Sequence, residues 1–176
     1  MVTAILGVCA GCGKSKVAIT EFSGDVSIAD VKIKGGYTIH SGDKIVVDDG
    51  KLSLLMENEK HIYVAHDTVM YVYTEEENNP SGTEVRIDKG SVVFDNKNTL
   101  SEGETYNVIT PNVTLPIGKN SMIVYVEMQP DGTTITKVNV VDGVVLARTI
   151  EDGKEVTKKI NIERVVTFEG RSSDER

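Results

Sequence analysis

Between residues 16 and 168, apolar side chains recur at every second position in short runs divided by turn residues, the pattern of β-strands with one face buried. Val26, Ile28, Val31 and Ile33 alternate through DVSIADVKI, Leu52, Leu54 and Met56 through KLSLLM, and Ile62 and Val64 through HIYVA. In the longest run, NSMIVYVEM, Met122, Val124, Val126 and Met128 fall on one side and Ile123 and Tyr125 on the other, which predicts a strand covered on both faces. No long segment carries an apolar stripe at helical spacing.

Turn residues punctuate these runs at the intervals of an all-β sandwich. Gly35-Gly36, Ser41-Gly42-Asp43, Asp49-Gly50, Ser81-Gly82, Asp131-Gly132, Asp142-Gly143 and Asp152-Gly153 supply the positive φ that tight hairpins require. Pro130-Asp131-Gly132, between VYVEM and TTITKV, is the clearest hairpin. The stretch EEENNPSG at 75–82 reads as a solvated loop, since adjacent carboxylates repel and proline donates nothing to a ladder. The expected fold is all-β, one antiparallel β-sandwich of jelly-roll-like or β-roll-like form over 16–168 with almost no helix. Residues 1–15 read as a signal-like or disordered segment and 169–176 as a disordered tail.

Composition narrows the function. The 176 residues carry 27 acidic and 19 basic side chains, a net charge of −8 that repels nucleic acid phosphates and anionic headgroups. With no Trp and only three Phe, the chain has few flat rings for stacking on bases or sugars. Both cysteines, Cys9 and Cys12, lie at the N-terminus, so the β body is held by packing without disulfides.

The opening MVTAILGVCAGCGKSK admits three readings. Gly13-Lys14-Ser15 ends like a phosphate loop, but Val8 stands where its first glycine belongs and a β-type run follows in place of a helix. Cys9-Ala10-Gly11-Cys12 has CxxC spacing, yet His40, His61 and His66 are not placed to complete a zinc site, and the βα context of a redox dithiol is missing. The third reading is a processing signal: the apolar run 2–10 closes on Ala-Gly-Cys and is followed by lysines. It resembles a bacterial lipoprotein signal, which would make Cys12 the lipidated residue and the lipid the chain's only membrane anchor. The plain alternative is a frayed, functionless terminus.

A search for chemistry returns no catalytic constellation: GxSxG, HExxH and an EF-hand loop are all missing from the sequence. Asp48 and Asp49 are adjacent in an extended chain, so their carboxylates diverge and share neither metal nor proton. No metal, cofactor or catalytic residue is therefore expected. With Ile62 and Val64 facing inward, His61 and Tyr63 point outward. Together with Tyr71 and Tyr73 on the next strand they could form a polar-aromatic surface for a protein partner, or simply line the sheet margin.

The order of turns and strands over 24–148 resembles the FecR-like domain family. Gly24-Asp25-Val26 is similar to its opening G-x-V strand, Ser41-Gly42-Asp43 to its Gly-Asp, and Asp49-Gly50 with LSLLM to the next turn and strand. Ile62, Val64, Met70 and Val72 follow its paired short strands. Ile87 to Gly90 with Val92-Val93-Phe94, then Thr110-Pro111, Gly118 and Asp142-Gly143-Val144-Val145, follow its later elements. The resemblance implies an extracytoplasmic, non-enzymatic β domain that contacts an envelope protein or conveys an envelope signal. It would sit on the outer face of the bacterial cytoplasmic membrane, or be periplasmic or secreted. What transfers to these residues is the envelope-side interaction domain, not sigma-factor regulation. A cell-surface structural or adhesion module is the alternative.

Overall fold

The computed structural model describes residues 17–74, 82–162 and 164–171. Thirteen strands follow in chain order: β1 (Val17–Ile28), β2 (Val31–Lys32), β3 (Asp43–Met56), β4 (Lys60–Val64), β5 (Thr68–Tyr73), β6 (Thr83–Asn96), β7 (Tyr106–Ile109), β8 (Val113–Pro116), β9 (Asn120–Met128), β10 (Thr133–Asp142), β11 (Val144–Glu151), β12 (Lys154–Asn161) and β13 (Val165–Arg171). The helical content of the described residues is one 3₁₀ turn, Glu57–Glu59. The all-β expectation holds, and β13 carries ordered strand through Arg171, past the expected boundary at residue 168.

All thirteen strands belong to one hydrogen-bonded sheet, and it is creased. The long strands β1, β3 and β6 each serve two halves of the molecule, while β4 and β5 lie end to end along β3. The crease runs through Gly24 and Gly50, which face each other at φ 77° and 98°. A Cβ on Gly50 would stand 2.0 Å from the Ser23 carbonyl oxygen, so only glycine lets the two backbones approach there. Register shifts at Asp25/Val26 and at Val69/Met70 restore the inward alternation beyond the bend. Ile45 and Val47 therefore face the same interior as Leu52, Leu54 and Met56.

One leaf comprises the first half of β1, the second halves of β3 and β6, and β4, β9, β10 and β13. The other comprises the remaining halves with β2, β5, β7, β8, β11 and β12. They close over a single apolar core, in which Phe94 of the first meets Tyr106 of the second edge-on at 6.4 Å. β6 and β7 pair in parallel, whereas the other ladders of the described residues are antiparallel.

Two polar groups cross the interior. The Lys60 ammonium is buried against Glu104, donates to the Glu57 carbonyl at 3.1 Å and lies 5.8 Å from the centre of the Tyr106 ring. Between β7 and β8, the Asn112 amide donates to the carbonyls of Thr134 (2.9 Å) and Phe168 (3.0 Å) and accepts from the hydroxyls of Thr136 (2.6 Å) and Thr110 (3.2 Å). Its own carbonyl accepts from Thr149 at 2.8 Å, so this one residue ties β10 and β13 to β11 across the leaves.

Three sequence expectations change. Asp49 and Gly50 form no hairpin turn but lie inside the 14-residue β3, at the crease. Val31 is 54% exposed, because Ala29 and Asp30 reverse the chain before it. β9 is covered on one face only: Met122, Val124 and Val126 are buried, whereas on the other side Ile123 is half-buried and Tyr125 is 37% exposed; Met128, on the covered side, is exposed where the strand ends. By contrast, the Asp131-Gly132 hairpin forms as expected, with Gly132 donating to the Gln129 carbonyl at 2.9 Å.

Candidate interaction surface

Pairing across the first leaf fixes which side chains meet on its outer face. One transverse row runs Ser53, Tyr63, Val93, Ile123, Asn139 and Val165, from β3 through β4, β6, β9 and β10 to β13. The next runs Leu55, His61, Asp95 and Ser121. On the other side Tyr125 lies between Ser91 and Lys137. Tyr63 (44% exposed) and Tyr125 thus bracket the half-buried Val93 and Ile123, giving a contiguous apolar-aromatic patch with polar margins.

His61 and Tyr63 point outward as expected and stack at 6.1 Å with 7° between the rings. Tyr71 and Tyr73 also stack, at 6.5 Å and 18°. The two pairs do not form one surface. β4 and β5 are successive segments of one line of strand, and the crease runs between them. Tyr71 instead meets its cross-strand partner Arg86, whose guanidinium lies 6.0 Å from the ring centre and donates to Asp88 at 3.0 Å.

Tyr125 is the patch residue that alternation alone assigned to a covered face. Its signal is the cross-strand Lys137, whose ammonium lies 5.7 Å from the ring centre, and that neighbour is visible only once β9 and β10 are paired. Partial burial and then the Glu127 carboxylate raise its phenol pKa. At the far margin, the Ser121 hydroxyl hydrogen-bonds Asp95 and holds its carboxyl below the usual range; burial opposes this and Lys97, at 3.4 Å, assists. Asp95 therefore keeps its negative charge to lower pH than an ordinary aspartate.

Nothing here gathers reactive groups. Asp48 and Asp49 are both exposed, the His66 ring lies 3.0 Å from the exposed Asp67 carboxylate, and among the described residues no three His, Cys, Asp or Glu side chains are grouped to hold a metal ion. The buried ionisable pair is structural. Burial would raise Glu104, but the Lys60 ammonium and the Ser101 N–H outweigh it and hold the carboxyl below its ordinary value. Burial alone pushes the Tyr106 phenol far up, which keeps it neutral. Cys12 lies outside the described residues. Among those residues no helix is long and apolar enough to cross a membrane.

No family profile and no curated protein matches the chain. A 1.65 Å crystal structure of a "putative anti-sigma factor" from Parabacteroides distasonis is similar to it, with a TM-score of 0.50 at 17% identity over 73% of this chain. A 2.50 Å structure of a chain described in the same words has a TM-score of 0.49 at 17% identity. This chain spans 60% of the length of each. At that identity, what it shares with the first of them is the fold.

Proposed function

We propose that this chain is a non-enzymatic, FecR-like protein-interaction domain of the bacterial envelope, held to the outer face of the cytoplasmic membrane by lipid on Cys12 and acting through the outer face of its first leaf. The observation that carries the reading is the patch of Tyr63, Val93, Ile123 and Tyr125, set on paired strands and bordered by Asp95 and Lys137. Tyrosines on a rigid sheet present large amphipathic area with little side-chain entropy to lose, the composition that protein interfaces favour. The fold shared with a chain described as a "putative anti-sigma factor" fits a signalling role; the partner class proposed here is an envelope protein.

Two measurements test it. Mass spectrometry of the product made in its host should find diacylglycerol on Cys12, and an unmodified cysteine would remove the anchor. Full-length protein purified from host membranes should retain a stoichiometric protein partner that Tyr63→Ala with Tyr125→Ala releases without lowering the melting temperature. Retention of the partner by the folded double variant would refute the assignment of the patch.

A further inference from the structure

Five large apolar side chains stand exposed at one corner of the sandwich, the last of them, Val165, two strands beyond Ile123 in the transverse row of the patch. They are Val141 (53%), Val144 (44%), Leu146 (51%), Ile162 (48%) and Val165 (62%). They come from the end of β10, the start of β11, the connection from β12 to β13 and the start of β13, and register gathers them: Val144 faces Asn161, next to Ile162, while Val165 faces Asn139, two residues before Val141. Single exposed aliphatic residues are ordinary, but five at one corner of a chain with a net charge of −8 are not.

The position of the corner relative to the N-terminus indicates what covers it. The transverse row that begins at Ala18 passes through Leu55, His61, Asp95 and Ser121 and ends at Asp142. Val17, where the described chain begins, and the Asp142–Val144 turn therefore lie at the same end of the first leaf, five strand spacings or about 24 Å apart. Cys12 precedes Val17 by five residues, which reach about 18 Å at full extension. A lipid on Cys12 would hold this end of the sandwich against the bilayer.

We propose that this end is a lipid-facing surface: once the chain is tethered, Val141, Val144, Leu146, Ile162 and Val165 seat in the interfacial region of the bilayer and set the orientation of the domain, leaving the Tyr63–Tyr125 face to the side. The proposal rests on the anchor reading for its geometry. Side chains of this kind add apolar burial to an existing tether, and the tether spares them the cost of capturing a free protein.

The chain has no tryptophan, so a single introduced one reports its own depth. Full-length Cys9→Ser protein would be coupled through Cys12 to a maleimide-bearing phospholipid in phosphatidylcholine vesicles, with or without bromine on the acyl chains. Val144→Trp and Ile162→Trp should lose at least half of their emission on brominated vesicles. Asp131→Trp, in the β9–β10 turn about 25 Å farther along the strands, should lose almost none. Equal emission from Val144→Trp and Ile162→Trp on both kinds of vesicle would overturn the lipid assignment and leave the corner to a protein partner. Chemical coupling makes this readout independent of host processing, so an unmodified Cys12 in the host would refute the anchor without deciding this measurement.

Discussion

Replacing Asn112 by alanine should loosen the join between the leaves. Its amide orientation is fixed by its surroundings, since two carbonyl oxygens lie on the nitrogen side and two hydroxyls on the oxygen side. The substitution removes four hydrogen bonds at about 0.5–1.5 kcal/mol each. The Thr136 hydroxyl keeps Thr110 as a partner at 3.0 Å, so the upper part of that range does not apply. The expected loss is about 2–4 kcal/mol, which at an m-value near 2 kcal/mol/M lowers the urea midpoint by about 1–2 M with the slope unchanged. Far-UV circular dichroism in urea would measure it. Asn112→Asp sharpens the test, because its carboxylate sets a negative charge against the Thr134 and Phe168 carbonyls. The folded-state pKa of that aspartate is then raised, so its penalty is full above the raised value and vanishes below about pH 4, where a protonated carboxyl donates one bond. A loss below about 0.5 kcal/mol for Asn112→Ala, or an Asn112→Asp deficit independent of pH, would refute the clasp.

At the crease, Gly50→Ala should cost more than about 3 kcal/mol or abolish folding, since its Cβ meets the Ser23 carbonyl; Gly103→Ala, at φ 78° with open surroundings, should cost about 1 kcal/mol, and melting temperatures would compare them. The Glu104 carboxyl has a lowered pKa in the folded protein, so its stabilisation is full above its unfolded value near 4.5 and is lost as pH falls through the lower folded value; Glu104→Gln should flatten that part of the stability–pH curve and cost about 2–4 kcal/mol at neutral pH by leaving the Lys60 ammonium buried. Ala29 and Asp30, at φ 48° and 60°, form a two-residue hairpin loop suited to asparagine, so Ala29→Asn should raise the melting temperature by about 1–3 °C.

The strands themselves were legible because alternation is a local property, and the Asp131-Gly132 hairpin was legible because turn chemistry is local too. The crease was not. Asp49-Gly50 carries the same residues as a hairpin, and only the opposition of Gly50 to Gly24 on a distant strand shows that the backbone bends there instead of reversing. The parallel pairing of β6 with β7 is equally non-local, since nothing in either run specifies the direction of its neighbour. Thr110-Pro111 reads as a turn, but the role of Asn112 depends on carbonyls 22 and 56 residues away.

The candidate surface divides along the same line. Inward Ile62 and Val64 oblige His61 and Tyr63 to face out, a deduction that needs only the period of a strand. Placing Tyr71 beside Tyr63 needs the strand order, and in that order β4 and β5 share the neighbours β3 and β6 in succession instead of pairing with each other. Alternation places Tyr125 on a covered face because an apolar run does not say whether a second layer packs on its far side; here none of the described strands does, and Tyr125 joins Tyr63 through Val93 and Ile123. A partner that docks on this row meets side chains whose spacing is already set by ladders on both sides and by an interior tied across the leaves at Lys60 and Asn112. Little ordering is left to the moment of binding, so weakening of the Asn112 clasp should reduce affinity at the patch even though Asn112 lies outside it.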